Sequence, residues 1–247
     1  MGDKMKLLVI GDVHLKFEKA ERIASKYNKD YKIIFVGDYF DNFGDTPELN
    51  LACADWLKES MSKPNRIHLR GNHDEIYDPR TSSMCSGFST QKKTAINSTM
   101  TLEDWDKLKY FHFENGWWFS HAGLTKYWFQ HSMKESITVD HVQKTIDDAI
   151  IKQRTGIEDN AIWAADSSRG GDNPVGSILW CDWRNLDMIP SMKQVVGHTP
   201  IKKINAITDN TINSSIINVD CSAATNLGEV LEIDELGHTS VIITDYV

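Results

Sequence analysis

The sequence predicts an α/β fold. Short apolar runs typical of strands alternate with segments whose apolar residues recur at helical spacing. Several of the apolar runs end at a glycine, where a chain can turn sharply. No internal repeat or low-complexity tract interrupts the alternation, and we expect a single domain over residues 1–247.

Strands and helices in the first half follow from local patterns. We predict strands at residues 7–10, 33–36 and 66–69. A helix at residues 17–27 joins the first two strands. A second helix begins at Thr46 and Pro47, because threonine caps helices and proline fits their first turn. Its predicted buried face consists of Leu49, Ala52, Cys53, Trp56 and Leu57.

The second half shows the same alternation. Thr101 and Asp104 have the spacing of a capping box and predict a short helix. A longer helix is predicted at residues 139–151, with Val139, Val142, Ile146, Ala149 and Ile150 on one face. Further strands are predicted at residues 117–120, 195–196, 215–220, 229–234 and 240–244. Residues 78–100 and 166–176 look irregular and are candidates for substrate contacts or lids.

Composition and charge exclude several classes of protein. A hydrophobic content of 40% with 25% charged residues is ordinary for a globular domain. The net charge of −8 argues against non-specific nucleic-acid binding, although a bound metal ion could still attract a small phosphorylated substrate. The four scattered cysteines predict reduced thiols. Without a membrane-length apolar run or a signal peptide, we expect a cytoplasmic protein with no membrane partner.

Polar side chains follow five of the predicted strands at the point where each strand ends. The segments are GDVH at 11–14, GDYFD at 37–41, RGNHD at 70–74, HAG at 121–123 and GHTP at 197–200. In α/β sheets, ligands bind beyond the carboxyl ends of the strands. Five strand ends therefore direct side chains to one edge.

The residue types at this edge predict a metal centre. They are Asp12, His14, Asp38, Asp41, Asn72, His73, Asp74, His121 and His198. Carboxylate, imidazole and amide ligands without thiolate suit manganese, iron or zinc. So many groups exceed the needs of one ion, and two ions about 3.5–4 Å apart require a bridging carboxylate. Any single Asp-x-His is more often a turn, so the prediction depends on all five segments.

In this order, the five motifs resemble those of the calcineurin-like metallophosphoesterase family over residues 7–222. The segment NVDCSA at 218–223 resembles the strand and turn that close the fold in that family. The resemblance implies a four-layered α/β/β/α sandwich with mixed sheets. It also implies hydrolysis of phosphate esters with two divalent ions, manganese first and iron, zinc, magnesium, cobalt or nickel as alternatives.

The resemblance assigns a role to each matching position. Asp12 and His14 would bind the first ion, Asp38 would bridge both ions, and the second ion would also be bound by Asn72, His121 and His198. A water between the ions would be the nucleophile. His73 would protonate the leaving group, with Asp41 as its partner, which is sensible chemistry for an alkoxide leaving group.

The last motif indicates a branch of the family. Phosphodiesterases and nucleases of the family often carry GHxH, whereas Thr199 and Pro200 follow His198 here. GHTP, LRGNHD and ILWCDWR at 178–184 resemble the branch of Ser/Thr protein phosphatases and diadenosine tetraphosphatases. This predicts hydrolysis of phosphomonoesters, with a phosphorylated protein or a nucleotide as substrate. The alternative is a nucleotide-directed phosphodiesterase or a dinucleoside polyphosphate hydrolase.

This sequence differs from the pattern of that branch at a position that would contact the substrate phosphate. Its second motif, GDxVDRG, carries an arginine where this chain has Asn42. Asparagine gives only a neutral hydrogen bond, so another arginine is needed for a bidentate contact. The candidate ligands of the substrate phosphate are Arg184 and Arg70, together with Asn42 itself. Arg80 and Arg169 are expected to lie in solvent. Trp163, Trp180 and Trp183 could stack on a base, but we expect core packing instead for at least Trp180. A scaffold without turnover would have lost a site residue, and none is missing.

Overall fold

The computed structural model describes residues 5–130, 137–157, 160–221 and 227–244. The strands are β1 (Lys6–Ile10), β2 (Tyr31–Phe35), β3 (Arg66–His68), β4 (Phe111–Glu114), β5 (Trp117–Ser120), β6 (Lys193–Val196), β7 (Asn205–Asp209), β8 (Ser214–Asn218), β9 (Glu229–Ile233) and β10 (Thr239–Ile243). The helices are α1 (Phe17–Tyr27), α2 (Pro47–Met61), α3 (Asn72–Glu75), α4 (Thr90–Asn97), α5 (Leu102–Lys107), α6 (Lys126–Phe129) and α7 (Val139–Arg154).

Within these ranges the strands form two mixed five-stranded sheets. The first has the order β10-β9-β1-β2-β3, with β1, β2 and β3 parallel. The second has the order β4-β5-β6-β8-β7, with β5, β6 and β8 parallel. The remaining strands pair antiparallel to their neighbours. Each sheet thus contains three adjacent parallel strands whose carboxyl ends lie on the same side of the sheet.

The inner faces of the two sheets pack on each other. They contribute a buried apolar cluster that includes Val9, Ile34, Phe119, Val195 and Ile217. Successive strand residues point to opposite faces, so the strands next to this cluster bury side chains on both faces. Burying one such side chain stabilises the fold by about 1.5–3 kcal/mol.

Helices cover both outer faces. On the first sheet, Leu8 and Phe35 point away from the inner cluster and pack with residues of α1 and α2. On the second sheet, Gln194 points outward and its amide bonds the backbone of Leu124, just before α6. Helix α7 packs against α6. This arrangement of helices, two sheets and helices confirms the predicted four-layered sandwich.

The predicted start of α2 is correct, but its predicted buried face is partly wrong. Thr46 caps the helix by accepting a hydrogen bond from the Leu49 amide, at 3.3 Å. Leu49 is 41% exposed, whereas the polar Asn50 is fully buried. The Asn50 amide donates to Asp45 and to the Thr46 carbonyl, which explains its burial. Apolar spacing alone does not reveal a face that is buried through hydrogen bonds.

The stretch at 78–100, predicted to be irregular, contains helix α4. Ser89 caps this helix by accepting from the Lys92 amide at 3.2 Å. Its buried residues are Lys92 and Ile96. A single buried apolar residue cannot produce the helical spacing by which a helix is recognised in a sequence. Residues 166–176 are irregular as predicted, apart from a 3-10 turn at Ser167–Arg169.

Two predictions from composition can be compared with the structure. Among the described residues, which include all four cysteines, no disulfide is present. In the same part of the chain, no helix combines the length and the apolar character needed to cross a lipid bilayer.

His68 on β3 is a buried histidine with both ring nitrogens hydrogen-bonded. Nδ1 lies 3.0 Å from the Tyr39 hydroxyl and Nε2 lies 3.0 Å from the Ser60 hydroxyl. Burial, and then the charge of Arg66, lower the pKa of His68 to about 3. In the unfolded chain the imidazole titrates near pH 6.5. Neutral His68 therefore stabilises the fold above pH 6.5, and this stability is lost as the pH falls towards 3.

We expect this loss to be visible in the unfolding free energy. Between about pH 7 and pH 4, the unfolding free energy of the wild type should fall by on the order of 3 kcal/mol more than that of His68→Gln. Glutamine can donate and accept hydrogen bonds but does not titrate. Urea unfolding at several pH values measures the difference, and parallel curves for the two proteins would contradict the prediction.

Candidate metal centre and active site

The structure brings the predicted site residues to one edge of the two sheets. The segments after β1, β2, β3, β5 and β6 each contribute to this edge. Their side chains are Asp12, His14, Asp38, Asp41, Asn72, His73, His121 and His198. Because these strands are parallel within their sheets, their carboxyl ends lie together as the sequence predicted.

Four side chains form one group of potential ligands. His121 Nε2 lies 3.0 Å from Asn72 Oδ1, 3.2 Å from His198 Nδ1 and 3.4 Å from Asp38 Oδ2. His198 Nδ1 lies 3.0 Å from Asn72 Oδ1. All four residues are buried. One carboxylate, one amide oxygen and two imidazoles make a ligand set that suits a transition-metal ion.

Three side chains form a second group, and Asp38 belongs to both. The ligand atoms of Asp12, His14 and Asp38 lie within 4.8 Å of one another. His14 Nε2 is 3.6 Å from Asp38 Oδ2. Asp38 thus belongs to both groups of potential ligands, as a bridging carboxylate would.

Backbone carbonyls set the tautomers of two of these histidines. His121 Nδ1 lies 2.9 Å from the Val36 carbonyl, and His14 Nδ1 lies 2.9 Å from the Asp41 carbonyl. A carbonyl only accepts, so Nδ1 donates and a neutral ring presents the lone pair of Nε2. In each ring that lone pair faces an Asp38 oxygen. Lone pairs directed at a carboxylate fit a divalent cation between them.

Burial shifts the pKa values of two residues at the centre, Asp12 and His198. Burial, and then the charges of Asp220 and Asp38, raise the pKa of Asp12 well above its usual value. Burial, and then His121 and Arg169, lower the pKa of His198 well below its usual value. A neutral His198 is the form that binds metal, and two buried neighbouring carboxylates are stabilised by cations.

Glycine is required at two of the motifs because of close approach. A Cβ atom on Gly71 would overlap the Asp38 carboxylate, and one on Gly197 would overlap that of Asp12. We predicted sharp turns at these glycines, but neither has a positive φ. The left-handed backbone is found at ligand residues instead, with φ of 50° at Asp38 and 64° at His198. Each costs on the order of 1 kcal/mol, which the surrounding contacts must offset.

Asp74 holds the loops that carry the ligands. Its carboxylate accepts from the backbone amides of Asp38, Tyr39 and Gly71, each at 2.8 Å. Burial, and then the charge of Asp38, raise the pKa of Asp74 to about 7, and the amide hydrogen bonds oppose this rise. The sequence placed Asp74 at the edge without a role, and the structure makes it a positioning residue.

His73 and Asp41 form a hydrogen-bonded pair beside the metal ligands. His73 Nδ1 lies 2.9 Å from Asp41 Oδ2. The other carboxylate oxygen, Oδ1, accepts from the Tyr77 hydroxyl at 2.6 Å and from Lys92 Nζ at 2.9 Å. The sequence did not single out Tyr77, and it predicted a solvated loop for Lys92, which lies in the stretch expected to be irregular. The side chain of His73 remains 18% exposed, so it is accessible.

The electrostatic surroundings of this pair favour an imidazolium and a carboxylate. Burial opposes the charged form of His73, but the charge of Asp38 and the hydrogen bond to Asp41 raise its pKa well above the usual value. Burial likewise opposes ionisation of Asp41, but hydrogen bonds from His73, Tyr77 and Lys92 lower its pKa. The site therefore holds a proton on His73 that could be donated.

A family model of calcineurin-like phosphoesterases matches residues 5–202, which include all of these side chains. The chain belongs to the calcineurin-like phosphoesterase family. It is therefore a phosphoric ester hydrolase of a family that depends on divalent metal ions, and the described side chains contain two groups that fit such ions.

Solved structures show the same fold at low sequence identity. A mutant of a cold-active protein tyrosine phosphatase is 14% identical, with a TM-score of 0.55 over 97% of this chain and 80% of the other. A protein serine/threonine phosphatase from Saccharomyces cerevisiae is 12% identical, with a TM-score of 0.55 over 100% and 82%. A metallophosphoesterase from Sphaerobacter thermophilus is 15% identical, with a TM-score of 0.50 over 99% and 90%. No curated protein sequence matches the chain.

The three predicted phosphate ligands of this calcineurin-like phosphoesterase differ in burial and in hydrogen-bond partners. Arg70 is buried, with Nη1 2.6 Å from Glu75 and 3.0 Å from Asp78, which argues against its predicted contact with phosphate. Arg184 is 69% exposed and pairs with Asp182 at 2.6 Å. Asn42 is exposed, and its amide donates to the carbonyl of His14 at 3.1 Å.

Arg169, which we predicted to lie in solvent, is in the site of the phosphoesterase. Its Nη2 donates to Thr199 Oγ1 at 2.8 Å, next to His198, and lies 3.2 Å from Asp182. Its Nε is buried and has no hydrogen-bond partner among the described residues. No spacing pattern in the irregular stretch at 166–176 could have identified it.

Trp180 lies beside the same group. Its ring centroid is 6.0 Å from that of His198 and 6.4 Å from that of Trp163. Trp163 and Trp183 are buried, as core residues are, whereas Trp180 is partly exposed. Trp180, for which we expected core packing, does pack against a buried apolar cluster but stays partly exposed beside His198, a candidate metal ligand.

Proposed function

We propose that this phosphoesterase hydrolyses phosphomonoesters with two divalent ions, manganese first, in the manner of a Ser/Thr protein phosphatase. The first ion would be bound by Asp12, His14 and Asp38, and the second by Asp38, Asn72, His121 and His198. The observation that carries the proposal is Asp38, which is shared by both ligand groups and lies beside the His73–Asp41 pair.

The chain's own residues would perform the proton transfer. When bound, the two ions supply electrophilic activation of the phosphoryl group and of the attacking water. His73 would donate its proton to the leaving-group oxygen, which is otherwise released as a basic alkoxide. Asp41 would orient the imidazole through Nδ1, and Tyr77 and Lys92 would hold Asp41 in place.

The residues after His198 support a monoesterase. Thr199 points its hydroxyl to Arg169 and not to a metal ligand, and Pro200 stands where diesterases of the family often have a second histidine. The Arg169 guanidinium adds a positive charge at this side, and a dianionic monoester gains more from it than a monoanionic diester.

We further propose that Arg169 binds the substrate phosphate. Replacing it with methionine, which is uncharged and of similar length, should lower kcat/KM by about 10–100-fold, mainly through a higher KM. The matched control is Arg184→Met, which removes the other arginine on the same carboxylate, Asp182. Steady-state kinetics on one monoester measure both. A larger loss in Arg184→Met would favour Arg184 as the phosphate ligand.

A second candidate function is hydrolysis of nucleotides or dinucleoside polyphosphates. The observation that favours it is the partly exposed Trp180 ring beside His198, whose pKa is lowered in part by the positive charge of Arg169. An aromatic face next to a cationic side chain can stack a base and bind a neighbouring phosphate.

The two candidates differ in which compound is cleaved fastest. We would compare manganese-dependent release from 4-nitrophenyl phosphate, bis(4-nitrophenyl) phosphate and diadenosine tetraphosphate on purified protein. Preference for the monoester supports the phosphatase, and preference for the dinucleotide supports the second candidate. Preference for the diester contradicts both the monoesterase proposal and the significance of Thr199 and Pro200. Asp38→Asn, prepared identically, controls for contaminating phosphatases.

A further inference from the structure

A cavity of about 210 Å³ lies at the end of helix α3 that is remote from the metal centre. Asn72 and His73 at the start of the helix face the metal centre, whereas Glu75 at its end lines the cavity. Arg70, just before the helix, lines the cavity as well. None of the metal ligands is part of its lining, so it is a separate feature of the fold.

The floor of the cavity is a buried guanidinium. Arg70 is 4% exposed, pairs with Glu75 and Asp78, and donates to the Trp105 carbonyl. The rings of Trp105 and Tyr110 lie 5.5 and 5.3 Å from it. Its Nε is buried and has no hydrogen-bond partner within the described ranges. A buried N–H of this kind is stabilised by an acceptor, which a ligand in the cavity could supply.

The acids around the cavity already have partners. Glu75 accepts from Arg70, from the Tyr110 hydroxyl and from Gln153. Asp78 and Asp106 both pair with Arg80. The carboxylates of the cavity are therefore occupied by cations or donors of the chain itself.

Two cations at the rim have no such partner. Lys109 and Arg154 line the cavity, and neither forms an ion pair with a described residue. The acids of the cavity are paired, whereas Lys109, Arg154 and the Nε of Arg70 are not paired with any described residue. The lining therefore has a surplus of positive charge and of N–H groups. Such a surface favours an acceptor-rich, negatively charged ligand.

The walls are apolar. Leu108, Phe111, Ile146 and Ile150 line the cavity beside the Trp105 ring. Apolar walls over a polar floor are typical of sites for small organic molecules. We propose that this cavity binds a small organic anion, with its carboxylate, phosphate or sulfonate group towards Arg70, Lys109 and Arg154 and its apolar body against these walls.

Such a ligand would contact the two segments that hold His73. One is α3 itself, through Arg70 and Glu75. The other begins at Thr81, whose hydroxyl donates to the Glu75 carbonyl at 2.9 Å, and continues to Cys85, 3.7 Å from His73 Nδ1. The cavity is thus placed to couple binding of an anion to the position of His73.

The test is to titrate the metal-loaded full chain with benzenesulfonate and to measure the heat of binding by isothermal titration calorimetry. This probe has three acceptor oxygens, a flat ring and no scissile phosphate, and sulfonates are weak ligands for divalent ions. We expect binding of one equivalent. The double variant Lys109→Ala, Arg154→Ala should bind about tenfold more weakly, as loss of a charge-assisted contact predicts. Neutral benzenesulfonamide should not bind measurably.

The matched control is Lys107→Ala, Lys144→Ala, which removes the same charge from two exposed lysines outside the cavity. It should bind like the wild type. Asp38→Asn should also bind like the wild type, so the result does not depend on the proposed function of the metal centre. No binding to the wild type, or binding that is lost in Asp38→Asn and retained in the Lys109, Arg154 variant, would overturn the proposal.

Discussion

Replacing Asp38 with asparagine is expected to lower kcat/KM by at least about 10³-fold on every phosphate ester. Among the described residues, Asp38 is the one that belongs to both ligand groups. Asparagine offers one neutral oxygen and an NH₂ group that repels cations, so a bridging position is lost. The stabilisation that such ions give a transition state is several kcal/mol, and each 1.36 kcal/mol corresponds to a tenfold change in rate.

The same substitution should leave the metal-free fold intact. Removal of the Asp38 charge relieves its repulsion of the buried Asp12 carboxylate, which offsets the loss of its attraction for His121 and His73. Elemental analysis should show less than two equivalents of metal, while thermal unfolding of the metal-free protein stays close to that of the wild type.

A buried acid with a structural role provides the control. Asp104 caps α5 by accepting from the Thr101 amide, and lies outside the metal centre. Asp104→Asn should lower stability and retain both metal content and kcat. If Asp38→Asn keeps two equivalents of metal and near-normal turnover, the bridging assignment is wrong.

Replacing His73 with asparagine should lower turnover in proportion to the basicity of the leaving group. For alkyl phosphates we expect a loss of about 10²–10⁴-fold in kcat, because the leaving alkoxide needs a proton in the transition state. For 4-nitrophenyl phosphate the loss should be much smaller, because its leaving group is stable as an anion. Metal content should be unchanged, since His73 is paired with Asp41 and not with the ligand groups.

A series of aryl and alkyl monoesters measures this effect as a slope of log kcat against leaving-group pKa. The slope should be steeper for His73→Asn than for the wild type. Asp41→Asn should give a slope in between, because it alters the orientation of the imidazole but leaves the imidazole in place. An equal loss on all esters would assign His73 a role in binding or in structure instead of proton donation.

The ligand set could be predicted because each member is tied to a local pattern. Asp12, Asp38, Asn72, His121 and His198 each follow an apolar run that predicts its own strand. Parallel strands then bring their carboxyl ends together, whatever the details of packing. The start of α2 could be predicted for the same reason. The capping residue, Thr46, accepts a hydrogen bond from an amide only three positions along the chain.

The support around these ligands could not be predicted in this way. Lys92 is 51 positions from Asp41, and Arg169 is 30 positions from Thr199. No spacing rule relates such pairs, and a lysine or an arginine in a polar segment is usually solvated. Arg70 shows the same difficulty in reverse, because its burial, which argues against a contact with the substrate phosphate, depends on Glu75, Asp78 and Trp105 together.

The sequence by itself thus predicted the strands and the polar side chains that follow their carboxyl ends, since these follow from patterns of a few residues. Only the tertiary structure decided which charged side chains are paired, buried or available to a substrate. Burial and charge pairing depend on which segments the two sheets bring into contact. That arrangement places α4 and the 3-10 turn at Ser167–Arg169 around the centre, far from their partners along the chain.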